Sequence, residues 1–409
     1  MRRTNASKAS NQLASNLLSK ASDLSNRVFK AQSIHFYRLL GVALFLTVFG
    51  IVMVLSASSI DSLKANNNSF TIGAKQLFFA VVGFGFLSMF SLVKTSTMQK
   101  RSKIFFQLAL ATQVAVLFIG KSINGNRNWL DFGLFSIQPS EFLKIAIILY
   151  GAFYLAQRAD YFYDGKVWVM TLLWGGLGMA FVIAGSDLGT VIIMFLFYVG
   201  MLVMAGMPSR LIGAILAALV VIIPLAVNFG SSSRVGRILA WMNPNAPDPN
   251  GYNWQSEHGM WALSAGRIFG AGLGESKMKW SWIPEVENDF IFAIIGEELG
   301  LIGALVIIGM FLFMAVCFNN ILRRTSDLFS RYVVAGVMLW ITLQALVNIA
   351  VVLRLLPVLG VPLPFVSAGG SSLLSSLMGV GLVLAIEREN HASPAPRART
   401  VARPVRATR

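Results

Sequence analysis

Residues 290–318, FIFAIIGEELGLIGALVIIGMFLFMAVCF, contain only two charged side chains, Glu297 and Glu298. At about 1.5 Å per residue a helix of this length exceeds the roughly 30 Å of a bilayer's hydrocarbon, so its solvent is lipid. Similar runs recur on both sides of it. A window of about nineteen residues predicts spans at 37–56, 74–93, 104–120, 140–157, 167–184, 188–206, 211–229, 290–318, 332–353 and 371–386. The whole chain agrees: of 409 residues 56% are hydrophobic and 13% charged, which excludes a water-soluble globular fold. The expected architecture is an all-α polytopic membrane protein of about ten transmembrane helices, with one large extracytoplasmic loop between spans seven and eight.

The net charge of +16 suggests nucleic acid until the basic residues are placed. They flank the apolar runs and form no continuous face, so topology explains them and no nucleic-acid partner is expected. Lys94, Lys100, Arg101 and Lys103 follow span two, Arg158 and Lys166 span four, Arg210 span six, and Arg323, Arg324 and Arg331 span eight. Those loops face the cytoplasm by the positive-inside rule, and an even span count puts both basic termini there too. Residues 1–36 and 387–409 lack a folding apolar stripe and are expected to be disordered tails attracted to anionic membrane lipids, flanking a transmembrane domain at 37–386. The N-terminus carries no signal-peptide pattern, so the first span is expected to be retained. The single cysteine, Cys317, lies in an apolar run, leaving no intramolecular disulfide or cysteine metal cluster.

Chemistry concentrates in four segments. The loop at about 230–289 mixes Trp241, Tyr252, Trp254, Trp261, Trp280 and Trp282 with Arg234, Arg237, Arg267, Lys277 and Lys279, a blend suited to a membrane interface or to an amphiphilic anionic ligand. At its end Asp289 either caps the eighth span or, against an apolar wall, acts as a general base with raised proton affinity. Glu297 and Glu298 lie deeper and need partners. In NGNRNWLDFGLFSIQPSEFLK (124–144) Pro139 starts a helix, and Glu141 and Lys144 share one of its faces. They read as an intrahelical pair that eases insertion or, preferably, as part of a polar cavity where Lys144 meets an anion. Arg127 is a second anion ligand candidate.

The turn AGSDLGT (184–190) keeps Asp187 at the interface, as a cap or tucked into the bundle. Finally LRLLPVLGVPLPFVSAGGSSL (353–373) has too many prolines and glycines for a helix. It is expected to form an irregular re-entrant loop whose freed backbone groups, with Ser371 and Ser372, line a cavity.

In their order and topology these segments resemble the SEDS family of bacterial membrane proteins for shape, elongation, division and sporulation, over residues 37 to 386. The motifs are NGNRNWL with IQPSEFLK, SDLGT, GAGLGES with PEVENDFIFAIIGEELG, and VNIAVVLRLLPVLGVPLPFVSAGGSSL. The resemblance implies a peptidoglycan glycosyltransferase of the bacterial inner membrane that polymerises lipid II, with Asp289 as the catalytic acid. It also implies Glu141 and Lys144 in a central cavity and a sensitive Asp187. Ser56, Ala57 and Ser58, the basic tails and SAGGSS are more similar to the division branch than to rod elongation or sporulation. That branch implies the septum, a class B penicillin-binding transpeptidase as partner and other divisome membrane proteins.

Departures are GSDLGT without the usual Pro before the Asp, PEVEN instead of PEAHT, which puts Glu287 where a His is usual, and Arg354 where a small residue is expected. In the implied reaction Asp289 deprotonates the 4-hydroxyl of the acceptor N-acetylglucosamine as it attacks the lipid-linked N-acetylmuramic acid of the growing chain. Lys144, Arg127, Arg234 and Arg237 are candidates to meet the departing undecaprenyl pyrophosphate, with Ser371 also at the substrate and a divalent cation (Mg or Mn) as an alternative electrophile. Lipid II transport and a non-enzymatic scaffold are the rival classes.

Overall fold

The computed structural model describes residues 32–123, 126–133, 135–229, 232–243, 248, 251–280 and 282–392. The expected tails therefore lie outside it, apart from their innermost residues. Helices form at all ten apolar runs: α1 (Ile34–Ala57), α3 (Thr71–Ser91), α4 (Thr95–Ile119), α5 (Pro139–Ala156), α6 (Gly165–Ala184), α7 (Leu188–Met204), α8 (Ser209–Phe229), α11 (Ile291–Arg324), α12 (Leu328–Val352) and α13 (Gly370–Ala392). Eight are long and apolar enough to cross a membrane; α7 and the apolar part of α8 are shorter. The chain is thus a multi-pass membrane protein. Among the described residues three α-helices outside the runs, α2 (Ser59–Asn66), α9 (Ser232–Met242) and α10 (Trp254–Gly266), and a 3-10 turn (Ala159–Tyr161) lie in loops.

Caps set the ends. Ser33, Asp164, Asp187 and Asp327 each accept a hydrogen bond from a free first-turn amide of the helix that follows. Pro139 occupies the first turn of α5, where its missing N–H costs nothing. At the other end α13 runs past the expected boundary at 386 because its last turns find partners. Ser33 donates to Glu387 (2.5 Å), Thr95 donates to Glu389, and Asn390 donates to Thr325 (2.9 Å). α13 is the axis of the bundle, with 94% of its most apolar window buried, against 28% for α3 and α4.

Two features depart from the sequence reading. The segment before α5 folds as a small antiparallel sheet, β1 (Lys121–Ile123), β2 (Asn126–Asp131) and β3 (Ser136–Ile137), in which Lys121 pairs with Trp129 and Leu130 with Ile137. The buried Asn128 anchors it by donating to the carbonyl of Gly185 (3.2 Å) and accepting from Gln113 (3.3 Å).

The eighth run is not one continuous helix. α11 breaks at Gly300 (φ 67°, ψ −166°), a region open essentially only to glycine. The backbone groups freed there are satisfied by the segment after α10. Ala271 and Gly272 amides donate to the carbonyls of Glu297 and Glu298 (2.9 and 3.0 Å), and Leu301 and Ile302 amides donate to Arg267 and Ile268 (2.9 and 3.3 Å). The two deep acids are partnered by the same segment. Glu297 accepts from the Ser276 hydroxyl and the Lys277 amide (2.8 Å), while Glu298 accepts from Ser56 (2.6 Å) and faces Lys279 (3.7 Å). A Cβ at Gly300 would stand 2.4 Å from the Gly270 nitrogen and the Ile268 oxygen. Gly300→Ala is accordingly expected to destabilise by more than about 2 kcal/mol, read as a lowered thermal midpoint in detergent.

Candidate active site

A cavity of about 430 Å³ opens at the end of the bundle where the sheet lies, walled by the start of α7, α9, the turn before α11, the 353–369 segment and the start of α13. Asp187, Arg237, Asp289 and Ser371 all line it.

Asp289 is held by its backbone and left free at its carboxylate. The carbonyls of three consecutive residues are each taken. Glu287 accepts from the Ala368 amide (2.8 Å), Asn288 from the Ser367 hydroxyl (2.5 Å) and Asp289 from the Asn348 side chain (2.8 Å). Asn348 donates its second hydrogen to the carbonyl of Val361 (2.7 Å), so one amide joins the Asp289 turn to the irregular segment. The expectation of a non-helical 353–369 lining the cavity is met in this way. Asp289 does not cap α11: the N-cap is Phe290, with no side-chain cap bond. Among the described residues its carboxylate has no hydrogen bond or ion pair. Gly360 stands beside it, where a Cβ would lie 3.5 Å from Oδ2.

Burial pushes Asp289 up to about 7, helped by the carboxylates of Glu285, Asp187 and Glu287 and opposed by Arg237. Glu287 is likewise raised to about 7, by burial and then by Glu285 and Asp61. One of its oxygens is buried without a partner among the described residues. Asp187 is raised by burial against the pull of the Thr190 hydrogen bonds. It caps α7 through the Thr190 amide (3.0 Å) and hydroxyl (2.8 Å) and accepts from Gln138 (2.8 Å).

Glu141 and Lys144 sit elsewhere. The expectation that Lys144 faces an anion in the cavity is corrected: both residues are 2% exposed and absent from the cavity wall. Lys144 donates to Glu141 (2.7 Å) and Gln344 (3.1 Å) and lies over the Trp340 ring, and Ser375 donates to Glu141 (3.0 Å). The pair is complete within the bundle. Arg127 is exposed on β2, facing the Leu117 carbonyl (3.4 Å), and is not among the lining residues. The side chain of Arg234 lies outside the described residues.

Gln138, Asn348 and Gln344 escaped the sequence reading. Gln138 joins both sides of the cavity, its side chain on Asp187 and its amide on the Ser371 hydroxyl (3.0 Å). Gln344 holds the Pro362 carbonyl (2.9 Å). Asn348 and Gln344 lie four residues apart in an apolar run, and polar amides at that depth were the available signal.

Residues 37–392 match the family described as cell cycle protein, FtsW/RodA/SpoVE. The chain belongs to this family. "Probable peptidoglycan glycosyltransferase FtsW" of Mycobacterium tuberculosis is 38% identical over 353 residues, covering 85% of this chain and 67% of the relative. The protein of the same name from Trichlorobacter lovleyi is 37% identical, over 83% of this chain and 90% of its own. Stage V sporulation protein E of Bacillus subtilis is 34% identical, over 85% and 95%. Two kinds of solved structure share the FtsW/RodA/SpoVE fold. A chain from a study titled "Structural coordination of polymerization and crosslinking by a peptidoglycan synthase complex" aligns at TM-score 0.73 with 22% identity, over 89% of this chain and 100% of its own. The rod shape determining protein RodA of Thermus thermophilus aligns at 0.65 with 20% identity, over 89% and 99%.

Within this FtsW/RodA/SpoVE chain the odd Arg354 has a local explanation. It follows the C-cap of α12 with φ 59°, the left-handed position where glycine usually ends a helix. Its guanidinium reaches Glu257 at 3.5 Å across a partly exposed surface. Arg354→Gly is expected to leave the thermal midpoint unchanged or slightly raised, because relief of about 1 kcal/mol of left-handed strain outweighs a weak ion pair. Loss of turnover in a stable Arg354→Gly protein would instead place this side chain at the substrate.

Proposed function

We propose that the chain is a peptidoglycan glycosyltransferase that polymerises lipid II into β-1,4-linked strands, with Asp289 as general base. The observation that carries this reading is a carboxylate raised to about 7, fixed by its backbone, without a partner among the described residues, in a cavity at one end of a membrane bundle. The names of the relatives point the same way. Asp289 takes the proton of the acceptor 4-hydroxyl; that oxygen forms the bond to the anomeric carbon of the donor. The carbon–oxygen bond to undecaprenyl pyrophosphate breaks with inversion, and the electron pair leaves on the pyrophosphate. Of the three expected cations whose side chains are described, Lys144, Arg127 and Arg237, it is Arg237 that lines the cavity. Among the described residues no three His, Cys, Asp or Glu side chains form a cluster able to hold a metal.

The cavity end faces outward across the inner membrane in this reading, both termini lie in the cytoplasm, and the division septum is the site of action. A class B transpeptidase is the partner, with other divisome proteins around it. Polymerisation is favoured over transport because the buried charges Lys144 and Glu141 are already paired to each other and do not line the cavity that holds Asp289. The test is conversion of purified lipid II to glycan strands by the reconstituted chain, with and without the transpeptidase; lipid II translocation with no strands in either case would replace the polymerase by a transporter.

A pH profile follows from the base. Asp289 works ionised, so kcat/KM should rise with pH, about tenfold per unit below 7, and level off above it. A profile flat from pH 5.5 to about 8 would remove the carboxylate from the rate-limiting proton transfer.

A further inference from the structure

The helices α7 and α13 both begin at the cavity wall, and their N-termini are treated differently. Of the first-turn amides of α7, that of Thr190 is met by Asp187, the helix's own cap. Those of α13 are open: the Leu373 amide bonds the Gly369 carbonyl (2.9 Å), and the amides of Gly370, Ser371 and Ser372 have no acceptor among the described residues. A second, independent sign is the Ser372 hydroxyl. Ser372 is only 8% exposed and lines the cavity. Its carbonyl accepts from Ser375 (3.0 Å), yet its hydroxyl has no partner among the described residues. The neighbouring hydroxyls are engaged, Ser371 by the Gln138 amide and Ser375 by Glu141. Free amides at the positive end of a long buried helix, beside an unused hydroxyl, form an anion site. Arg237 supplies a full positive charge to the same cavity.

Resting on the glycosyltransferase reading above, we propose that the N-terminus of α13 and the Ser372 hydroxyl, with Arg237, cradle the diphosphate of the donor polyprenyl-diphosphate sugar. The chemistry selects donor over acceptor. The acceptor's attacking hydroxyl is on the sugar remote from its own diphosphate, so a diphosphate sharing this cavity with Asp289 is the one whose bond to the sugar breaks. As that bond breaks, its electron pair settles on the diphosphate oxygen facing the free amides, while the acceptor proton passes to Asp289. The cradle meets charge that grows in the transition state.

Farnesyl diphosphate is a short soluble probe for this cradle, with farnesol as the control for tail binding and inorganic pyrophosphate as the control for the headgroup alone. Binding to the full chain in detergent is read by titration calorimetry. Ser372→Ala is expected to weaken farnesyl diphosphate about tenfold and Ser372→Asp about a hundredfold, with farnesol unchanged and thermal midpoints near wild type. Competition by inorganic pyrophosphate would support the cradle. Wild-type affinity in folded Ser372→Asp would overturn it; should that variant fail to fold, wild-type affinity in Ser372→Ala would do so, as would full competition by farnesol. Asp289→Asn is expected to bind the probe undiminished. A chain that binds the diphosphate through Ser372 but makes no strands in any preparation would keep the cradle and lose the polymerase.

Discussion

Asp289→Asn is expected to reduce glycan strand formation from lipid II by about 10²- to 10⁴-fold, the usual contribution of a positioned base, while leaving the fold intact. The fold should survive because the carboxylate makes no hydrogen bond among the described residues. The turn is held by its carbonyls, on Ala368, Ser367 and Asn348, which the substitution does not touch. Stability should even gain at neutral pH. The folded group titrates near 7, above its ordinary 3.8, so the native state holds the proton more tightly than the unfolded chain does. Ionisation therefore subtracts stability as pH rises from about 4 to about 7, and asparagine removes that loss. The measurement is strand length and yield on gels beside a thermal melt. A melted or aggregated variant would make the turn's rigidity depend on the carboxylate; a folded variant with full polymerisation would end the role of Asp289 as base.

Lys144→Met is expected to cost about 3–5 kcal/mol, because it strands the buried Glu141 without its cation. Both side chains are almost wholly enclosed, at 2% and 3%, and Lys144 also holds Gln344, which in turn holds the Pro362 carbonyl of the irregular segment. The loss should appear as a lower midpoint of denaturant or thermal unfolding in detergent. Adding Glu141→Gln to the same chain should recover part of it, since no unpaired charge then remains inside. Turnover per folded molecule should fall less than stability. A stable Lys144→Met protein with an intact midpoint and a sharply raised KM for lipid II would instead put the ammonium at the substrate.

The spans were legible because lipid imposes a length and forbids charge, and both constraints are local. All ten helices stand where the apolar runs placed them. The break at Gly300 was not legible, since a glycine in a long apolar run is compatible with a straight helix. Only the return of residues 267–272 shows where the freed amides and carbonyls go. The sheet before α5 hid for a related reason: its anchor is Asn128 against Gly185, a contact between segments far apart in sequence.

At the site, Asp289, Asp187 and Ser371 meet around one cavity as their placement at span ends suggested, and Arg237 of the large loop joins them. Lys144 misled because its distance along α5 is readable but the depth of the cavity is not. Whether a buried cation meets a ligand or a neighbouring carboxylate depends on Gln344, Trp340 and Ser375, which come from two other helices. Asn348 was missed because an amide in a span reads as helix–helix glue, and its actual partner is the backbone carbonyl of Asp289.

The central position of α13 bears on how the protein is made. Among the described helices it leaves the ribosome last, yet it is the one that the others surround. At about 5–20 residues per second, the earlier helices spend many seconds in the bilayer around an axis that has not arrived. During that interval Glu141 lacks Ser375, and Ser33 and Thr95 lack Glu387 and Glu389. Biogenesis therefore has a late commitment point: insertion can proceed helix by helix, but the cavity assembles only when translation delivers its final wall. Premature termination before α13 would remove the centre of the molecule and leave its periphery in the membrane.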